Sequence, residues 1–272
     1  MPFIDKIVNI QTPGRLYALC KLVQYKKYSR DELENLLQPR ALNNNSNQFK
    51  EVFALATRGQ LIKETEDKTL MLTMEVQDIH DPTQFRHALI QKIYSNPDLI
   101  FNKFTAWYMS RGEHSMGDKK LAGLFFTEVS KATTQNTEYN DTNIVAWRTW
   151  AQYLGLGYNH NGSFLPNPAM RIKEEILIKP PEFMGERVSA SQFFQWIAKT
   201  FPELDGGIYN QSFQKSYSAQ RLSFALSMGL RTLHDLGIIE LQFIPDSKDV
   251  WYLHKNDLHV IQDKISNVVI RG

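Results

Sequence analysis

The clearest hydrophobic pattern in the chain runs through residues 218–254. Apolar residues recur every three or four positions from Leu222 to Leu236, which predicts a helix with one apolar face. Gly237 follows directly, and a glycine in this position is typical of the left-handed residue that ends a helix. The period then shortens to two, so residues 238–243 are predicted to form a strand and residues 250–253 a returning strand.

A similar order of elements is predicted near the N-terminus. Pro13 stands at the start of a first helix, and Ser29 begins a capping box that opens a second. A third helix ends at Gly59, and two short strands are predicted at residues 61–63 and 69–73. Helices followed by a two-stranded hairpin are the elements of a winged-helix domain.

Residues 13–73 and 189–254 therefore resemble winged-helix domains, because in each a glycine after the third helix leads into a strand. The predicted fold is mainly α with small β wings, and it consists of tandem winged-helix domains with a helical middle region. We place the domains at residues 1–76, 77–180 and 181–272. A looser copy of the glycine pattern near residue 155 marks the middle domain as a possible degenerate winged helix, and a final helix is predicted at residues 258–269.

The whole chain also resembles DpdG-type proteins of bacterial gene clusters that place deazaguanine bases in DNA and defend against foreign DNA. This resemblance rests on Thr12-Pro13-Gly14-Arg15-Leu16 and on residues 147–157 followed by Leu165-Pro166-Asn167-Pro168. It implies a bacterial, cytoplasmic accessory protein of a DNA-modification or antiviral defence system. No catalytic residues are assigned in these proteins, so the resemblance carries no site residue over to this chain.

Composition limits the possible functions without selecting one. The chain has 272 residues, 42% of them hydrophobic, and a formal net charge of +2. A strong nonspecific binder of polyanions usually has a larger basic excess. The one cysteine, Cys20, excludes an internal disulfide and fits a reducing cytoplasm. We predict neither a signal peptide nor a membrane span.

Motifs that would indicate catalysis are missing from the sequence. It contains no phosphate-binding glycine loop, no His-Glu-x-x-His pair and no Gly-x-Ser-x-Gly elbow. Asp78, His80 and Asp81 are close enough in sequence to suggest a metal site, but such residues in a linker are usually capping and solvated groups. We therefore predict a protein that is not an enzyme, with no catalytic residue, no cofactor and no metal.

Helical projection suggests which side chains face a partner. In the C-terminal domain, the face opposite the leucines carries Gln220, Ser227 and Arg231, which suit DNA. The same face carries Phe224 with Met228 at its edge, and these apolar side chains suit a protein partner better. This mixture weakens the prediction that the C-terminal domain contacts DNA.

The N-terminal domain is the better candidate for DNA contact. The predicted outer face of its third helix and its wing carry polar and basic residues, namely Asn47, Lys50, Arg58, Lys63 and Lys68. Glu51 on the same helix would repel a phosphate. The helix before Gly155 is predicted to expose Trp150 and Tyr153 toward a partner.

Two functional classes follow from these surfaces. The first is a protein that binds double-stranded DNA through helices at residues 47–58 and 219–236. The second is a scaffold or adaptor whose winged helices dock other proteins in a multi-subunit complex that acts on DNA. The fold favours the first class, whereas the near-neutral charge favours the second.

Overall fold

A computed structural model describes residues 3, 6–43, 45–112, 116, 120–129, 139–255 and 263–272. The chain divides into two compact units. Unit 1 comprises residues 1–101 and 122–153, and unit 2 comprises residues 102–121 and 154–272. The units do not coincide with the three predicted domains, because the middle region contributes helices to both. None of the described helices has the length and hydropathy needed to span a membrane.

Unit 1 begins with three helices, and local sequence signals fix their ends. Pro13 occupies the first turn of α1, and Ser29 forms a complete capping box with Glu32 at the start of α2. The structure confirms both predicted helix starts, and it confirms that the third helix ends at Gly59. The three helices are α1 (Pro13–Tyr25), α2 (Arg30–Leu37) and α3 (Asn47–Arg58).

A short antiparallel hairpin follows the three helices. Strands β1 (Ile62–Glu64) and β2 (Leu70–Leu72) pair with Lys63 opposite Met71. An isolated bridge between Ser29 and Thr69 adds the segment before α2 to the other edge of β2. The hairpin predicted near the N-terminus is therefore present, with boundaries within about two residues of the predicted ones.

Four further helices follow along the chain. A 3-10 turn at Val76–Ile79 precedes α4, and Asp81 caps α4 as predicted by accepting hydrogen bonds from the Thr83 and Gln84 amides. In unit 1, α7 carries two fully buried tryptophans, Trp147 and Trp150. Helix α5 passes from unit 1 into unit 2 after Phe101. The four helices are α4 (Pro82–Ile93), α5 (Ile100–Ser110), α6 (Leu121–Glu128) and α7 (Asp141–Tyr153).

Unit 2 combines the larger part of α5 and later helices with small antiparallel sheets. Strands β3 (Gly157–His160) and β4 (Ser163–Pro166) form a hairpin around Asn161-Gly162. The segment after this hairpin forms a helix, because its buried residues recur at helical spacing. The remaining elements are α8 (Ala169–Ile178), β5 (Arg187–Ser189), α9 (Ala190–Thr200), α10 (Phe224–Asp235), β6 (Ile239–Gln242), β7 (Trp251–Tyr252), β8 (Lys264–Ile265) and β9 (Asn267–Ile270).

The end of the chain differs from the sequence prediction. Strand β6 pairs with β9 rather than with residues 250–253, and β7 within that segment pairs with β8. The helix predicted for residues 258–269 is wrong over its described part, where residues 264–265 and 267–270 are strands; residues 258–262 lie outside the described residues. Val268, Val269 and Ile270 favour a strand because they are β-branched, and all three are buried in the three-stranded sheet β5-β9-β6.

The start of α10 is fixed by a buried loop. The helix begins after Ser223, whose hydroxyl accepts a hydrogen bond from the Leu226 amide. Asp205 lies beneath this cap and is 1% exposed. Gly207 allows the loop to turn there, because a Cβ atom at that position would lie 2.4 Å from the Phe201 carbonyl oxygen. At the other end, Gly237 adopts a φ of 72° and ends α10 as predicted.

A buried ion-pair cluster joins α8 to the same loop. Arg171 is 2% exposed, and its guanidinium donates to Glu175 at 3.1 Å and to Glu203 at 3.3 Å. Its Cζ atom also lies 4.7 Å from the centre of the Phe201 ring. Burying such charges costs free energy. Removing one partner costs more, because the charge that is left buried is then uncompensated. We infer that it fixes the loop against α8.

Candidate nucleic-acid interface

The outer face of α3 carries the polar side chains that were predicted to meet DNA. Asn47, Lys50 and Arg58 are exposed, and Ala54 among them is half-buried. At 3.6 residues per turn, these four positions lie within roughly a quarter of the helix circumference. The opposite face packs into the core through Phe49, Val52, Leu55 and Ala56. The expected exposure of this polar stripe is confirmed, and its contact with DNA stays a prediction.

Glu51 borders the stripe but has a specific partner. The Gln11 side-chain amide donates to the Glu51 carboxylate at 3.1 Å and to the Glu51 carbonyl oxygen at 3.3 Å. The Gln11 carbonyl oxygen in turn accepts a 2.6 Å hydrogen bond from the indole of Trp150. These contacts orient the Glu51 carboxylate toward Gln11, although its negative charge still opposes a nearby phosphate.

The start of α3 is positioned by a buried glutamine. Gln38 is 8% exposed, and its carbonyl oxygen accepts a 2.8 Å hydrogen bond from the Phe49 amide. Its amide group donates to the Asn45 carbonyl oxygen. The Asn45 side chain accepts from the Asn47 amide at 2.9 Å. The role of Gln38 could not be predicted from the sequence, because an amide side chain gives no local signal that it binds a helix amide eleven residues away.

The hairpin adds two exposed lysines and several exposed acids. Lys63 lies on β1, and Lys68 occupies the turn with a φ of 56°. The turn is closed by a 2.8 Å hydrogen bond between the Thr65 and Thr69 hydroxyls. The exposed carboxylates of the hairpin are those of Glu64, Glu66 and Asp67. The hairpin therefore offers cations at two defined positions but no net positive charge.

Two residues that were predicted to lie on the exposed face of α10 are buried. Ser227 and Arg231 are both 0% exposed. The Ser227 hydroxyl accepts from the His254 amide at 2.8 Å, and the Arg231 guanidinium donates to the His254 carbonyl oxygen at 2.8 Å and to Asp263 at 3.0 Å. The backbone at His254 therefore covers the face that the helical projection left open. These two side chains hold the fold of unit 2 and are withdrawn from the DNA-binding set.

The other residues predicted near α10 are half-buried. Gln220 has a φ of 56°, and its carbonyl oxygen accepts from the Tyr252 amide at 2.8 Å. Phe224 makes an edge-to-face contact with the His254 ring at a centroid distance of 5.4 Å. Met228 lies one turn further along the helix and is also half-buried. The arrangement leaves only parts of these side chains available to a partner.

The predicted exposure of α7 is wrong at Trp150, which is 0% exposed. Its ring packs against Phe3 at 4.7 Å, and its indole N–H is bonded to Gln11. Tyr153 is half-buried, its hydroxyl donates to the Pro82 carbonyl oxygen at 3.3 Å, and Arg86 lies 5.5 Å from the centre of its ring. Trp150 is a core residue, since α7 packs this face inward, and Tyr153 retains a partly open edge.

The side chains considered as catalytic or metal-binding candidates have environments typical of structural residues. Asp81 caps α4, and the hydrogen bond from the Gln84 amide is the main reason that its pKa lies below the ordinary value. His80 lies 3.5 Å from the Asp81 carboxylate. Burial raises the pKa of the Cys20 thiol to about 12, so the thiolate form of a nucleophile is disfavoured. Among the described residues, no three His, Cys, Asp or Glu side chains are grouped to hold a metal ion.

Comparison with known proteins identifies a family to which this chain is similar. A family model described as DpdG-like matches residues 6–247, which is most of the chain. No match was found among curated proteins or among solved structures. The matched range includes α3, the hairpin and α10, so the candidate interface lies within the part of the chain shared with the family.

Proposed function

This chain belongs to the DpdG-like family, and on that premise we propose that it is a non-enzymatic DNA-binding protein. We place it in the cytoplasm as an accessory component of a bacterial DNA-modification or phage-defence system. The observation that supports the proposal is the exposed polar stripe of α3, which includes Lys50 and Arg58, together with the exposed lysines of the hairpin that follows. Lysine and arginine on a helix and an adjacent hairpin are suited to phosphate contacts on a duplex.

We interpret residues 13–72 as a winged-helix domain. The segment α1, the bridge at Ser29, α2, α3, β1 and β2 follows the order of that fold, and the bridge adds a third strand position beside the hairpin. In this interpretation α3 enters the major groove and the hairpin meets the backbone. Asn47 then lies at the helix start, where base edges are usually contacted.

We interpret residues 169–270 as a second winged helix with an insertion. Its elements are α8, β5, α9, α10, β6 and β9, and its sheet has the order β5-β9-β6. The short pair β7 and β8 is the insertion between β6 and β9. Because the Ser227 and Arg231 side chains of α10 are buried, we assign unit 2 to protein contact or support rather than to base recognition.

The charges predict modest affinity with a moderate salt dependence. Lys50, Arg58, Lys63 and Lys68 provide up to four phosphate contacts. The logarithm of the binding constant falls by about 0.9 for each contact per decade of salt, so a slope of roughly −2 to −4 is expected. Glu51 and the acids of the hairpin reduce the affinity further. The proposal therefore describes a weak duplex binder that acts together with partners.

The direct test is binding of the full-length chain to an unrelated duplex across a range of salt concentrations. Fluorescence anisotropy of an end-labelled duplex would follow the interaction. We expect binding at low salt and a linear loss of log affinity with log salt. Absence of binding at the lowest salt would reject DNA binding by the isolated protein.

The second candidate function is a protein scaffold or adaptor. The net charge of +2 and the half-buried Phe224 and Met228 favour it, because apolar side chains at a surface suit a protein partner. This candidate predicts that Phe224→Asp abolishes co-purification of a partner from the native host without unfolding the chain. Unchanged co-purification with Phe224→Asp would reject α10 as the docking site.

A further inference from the structure

A surface groove of about 320 Å³ lies within unit 1 between the C-terminal end of α1 and strand β2. One wall is formed by residues 23–27 and the other by Leu70, Met71, Leu72, Met74 and Val76. The groove is bounded by two contacts between its walls. The Leu70 amide donates to the Tyr28 carbonyl oxygen at 2.8 Å, and the Gln24 side chain donates to the Val76 carbonyl oxygen at 3.5 Å.

The floor of the groove is the outer edge of β2, which no described strand pairs with beyond Leu70. The Thr73 amide donates to the Leu61 carbonyl oxygen, and the Thr65 amide donates to the Thr69 carbonyl oxygen. The odd-numbered residues of the hairpin therefore form the hydrogen bonds between its two strands. Backbone groups alternate in direction along a strand, so those of Leu70 and Leu72 face away from β1. Leu70 is paired with Tyr28 on that outer edge, but Leu72 lies beyond the bridge. Its N–H and C=O groups therefore face the groove.

The rims of the groove are apolar and basic. Tyr25 is 75% exposed, Val76 is 65% exposed and Met71 is 40% exposed, which is unusual for such large apolar side chains. Lys26 and Lys27 are exposed and are the charged residues among the described residues that line the groove, and the exposed Glu75 lies in the chain between the lining residues Met74 and Val76. Glu32 is near enough to Lys26 for that lysine to help lower the Glu32 pKa, after the larger effect of its hydrogen bonds with Ser29. Lys27 adds a second positive charge next to the strand edge.

We propose that this groove binds an extended acidic segment of a partner protein, which adds as a strand to the outer edge of β2. In strand addition, main-chain hydrogen bonds give affinity and alternate side chains give specificity. The Leu72 edge supplies the main-chain groups, Tyr25 and Val76 supply apolar contact, and the two lysines select acidic side chains. This partner site is separate from the α3 stripe and does not depend on DNA binding.

Charge argues against the other occupants. A second copy of the chain would bring Lys26 and Lys27 toward the same two lysines, and like charges at short distance are unfavourable. A DNA backbone would match the lysines but would leave the strand edge and the apolar rims without partners. An acidic peptide with alternating apolar residues satisfies all three features of the groove.

The test is selection of peptides by the full-length protein from a random dodecapeptide library displayed on phage. The comparison variants are Leu72→Pro, which removes the edge N–H, and Leu72→Ala, which removes the side chain but keeps the N–H. Lys26→Glu with Lys27→Glu reverses the charge of the rim. Lys199→Glu with Lys248→Glu is the matched charge control, because both lysines are exposed in unit 2. Thermal unfolding verifies that each variant is folded.

We expect the selected peptides to contain acidic residues that alternate with apolar residues. Their affinity should fall by about tenfold or more with Leu72→Pro and with the Lys26/Lys27 reversal, and it should change little with Leu72→Ala and with the control. Failure to select acidic peptides, or equal binding by all variants, would overturn the proposal. Displacement of a selected peptide by duplex DNA would also overturn it, because the groove would then serve the nucleic acid.

Discussion

The Asp205 carboxylate accepts two hydrogen bonds from Ser223, one from the hydroxyl and one from the backbone amide, each at 2.6 Å. The Gln214 side chain donates a third at 2.6 Å. Ser223 is also the N-cap of α10, since its hydroxyl oxygen accepts from the Leu226 amide. A buried acid therefore holds Ser223, the residue that caps the start of α10.

The first prediction concerns this cap. Asp205→Asn replaces one accepting oxygen with an amide that cannot accept, so a buried donor loses its partner. We expect the free energy of unfolding to fall by about 2 kcal/mol. Chemical denaturation of the full-length chain measures it. Asp246→Asn in the exposed turn after β6 is the control and should change stability by less than about 0.5 kcal/mol. Equal stability of both variants would show that the Asp205 contact contributes nothing.

The second prediction concerns pH. Burial raises the pKa of Glu203 above its ordinary value of 4.5, although the Arg171 charge partly opposes the shift. The folded state therefore keeps the Glu203 proton to a higher pH than the unfolded state does. The contribution of this group to stability is complete below about pH 4.5 and decreases as the pH rises toward the folded pKa.

Glu203→Gln removes this titration and isolates its effect. We expect the stability of the variant relative to wild type to rise as the pH increases from about 4.5 toward neutrality. Urea unfolding at several pH values measures the difference, with Glu182→Gln at an exposed position as the control. A difference that stays constant over this pH range would contradict the raised pKa.

The third prediction concerns Arg231, which the sequence placed on a DNA-binding face. Its guanidinium is buried and holds the His254 carbonyl oxygen and the Asp263 carboxylate. Arg231→Ala should lower the free energy of unfolding by about 3 kcal/mol or more, because it breaks a buried network. Duplex affinity should not change when it is measured where the variant is still folded. A variant with wild-type stability and weaker duplex binding would restore Arg231 to the DNA interface.

The fourth prediction concerns Trp150, which was expected to face a partner. Trp150→Phe keeps most of the apolar volume but removes the hydrogen bond to Gln11, so we expect a loss of about 1–2 kcal/mol. Trp150→Ala also leaves a cavity and should cost about 3–5 kcal/mol. Thermal unfolding of the two variants tests this order. A stable Trp150→Ala protein that loses only a partner would show that the ring is available on the surface.

Local signals predicted several helix ends and the hairpin of β1 and β2. Ser29 and Asp81 act through residues two or three positions away, and Gly237 acts through its own backbone conformation. Because each of these interactions involves residues only a few positions apart, the sequence alone was sufficient to predict where these helices begin or end. The polar stripe of α3 could also be predicted, because its buried face is a regular amphipathic pattern.

The errors arose where distant segments decide exposure. The segment at His254 covers the outer face of α10, and it lies 23 residues beyond Arg231 in the chain. Trp150 is buried through contacts with Phe3 and Gln11, about 140 residues away. A helical projection assumes one buried face, and it fails when a helix has neighbours on two sides. Strand β9 was predicted as a helix because its pairing with β5 and β6, which are distant in the chain, leaves no local signal.

The most direct test of the proposed function compares two double variants. One carries Lys50→Ala and Arg58→Ala in α3, and the control carries Lys199→Ala and Lys248→Ala in unit 2. Both double variants lose two exposed positive charges. Affinity for an unrelated duplex is measured at several salt concentrations. We predict that the α3 variant binds more weakly and that its slope of log affinity against log salt is smaller in magnitude by about 2, whereas the control retains the wild-type slope. Equal behaviour of the two double variants would contradict DNA binding through α3.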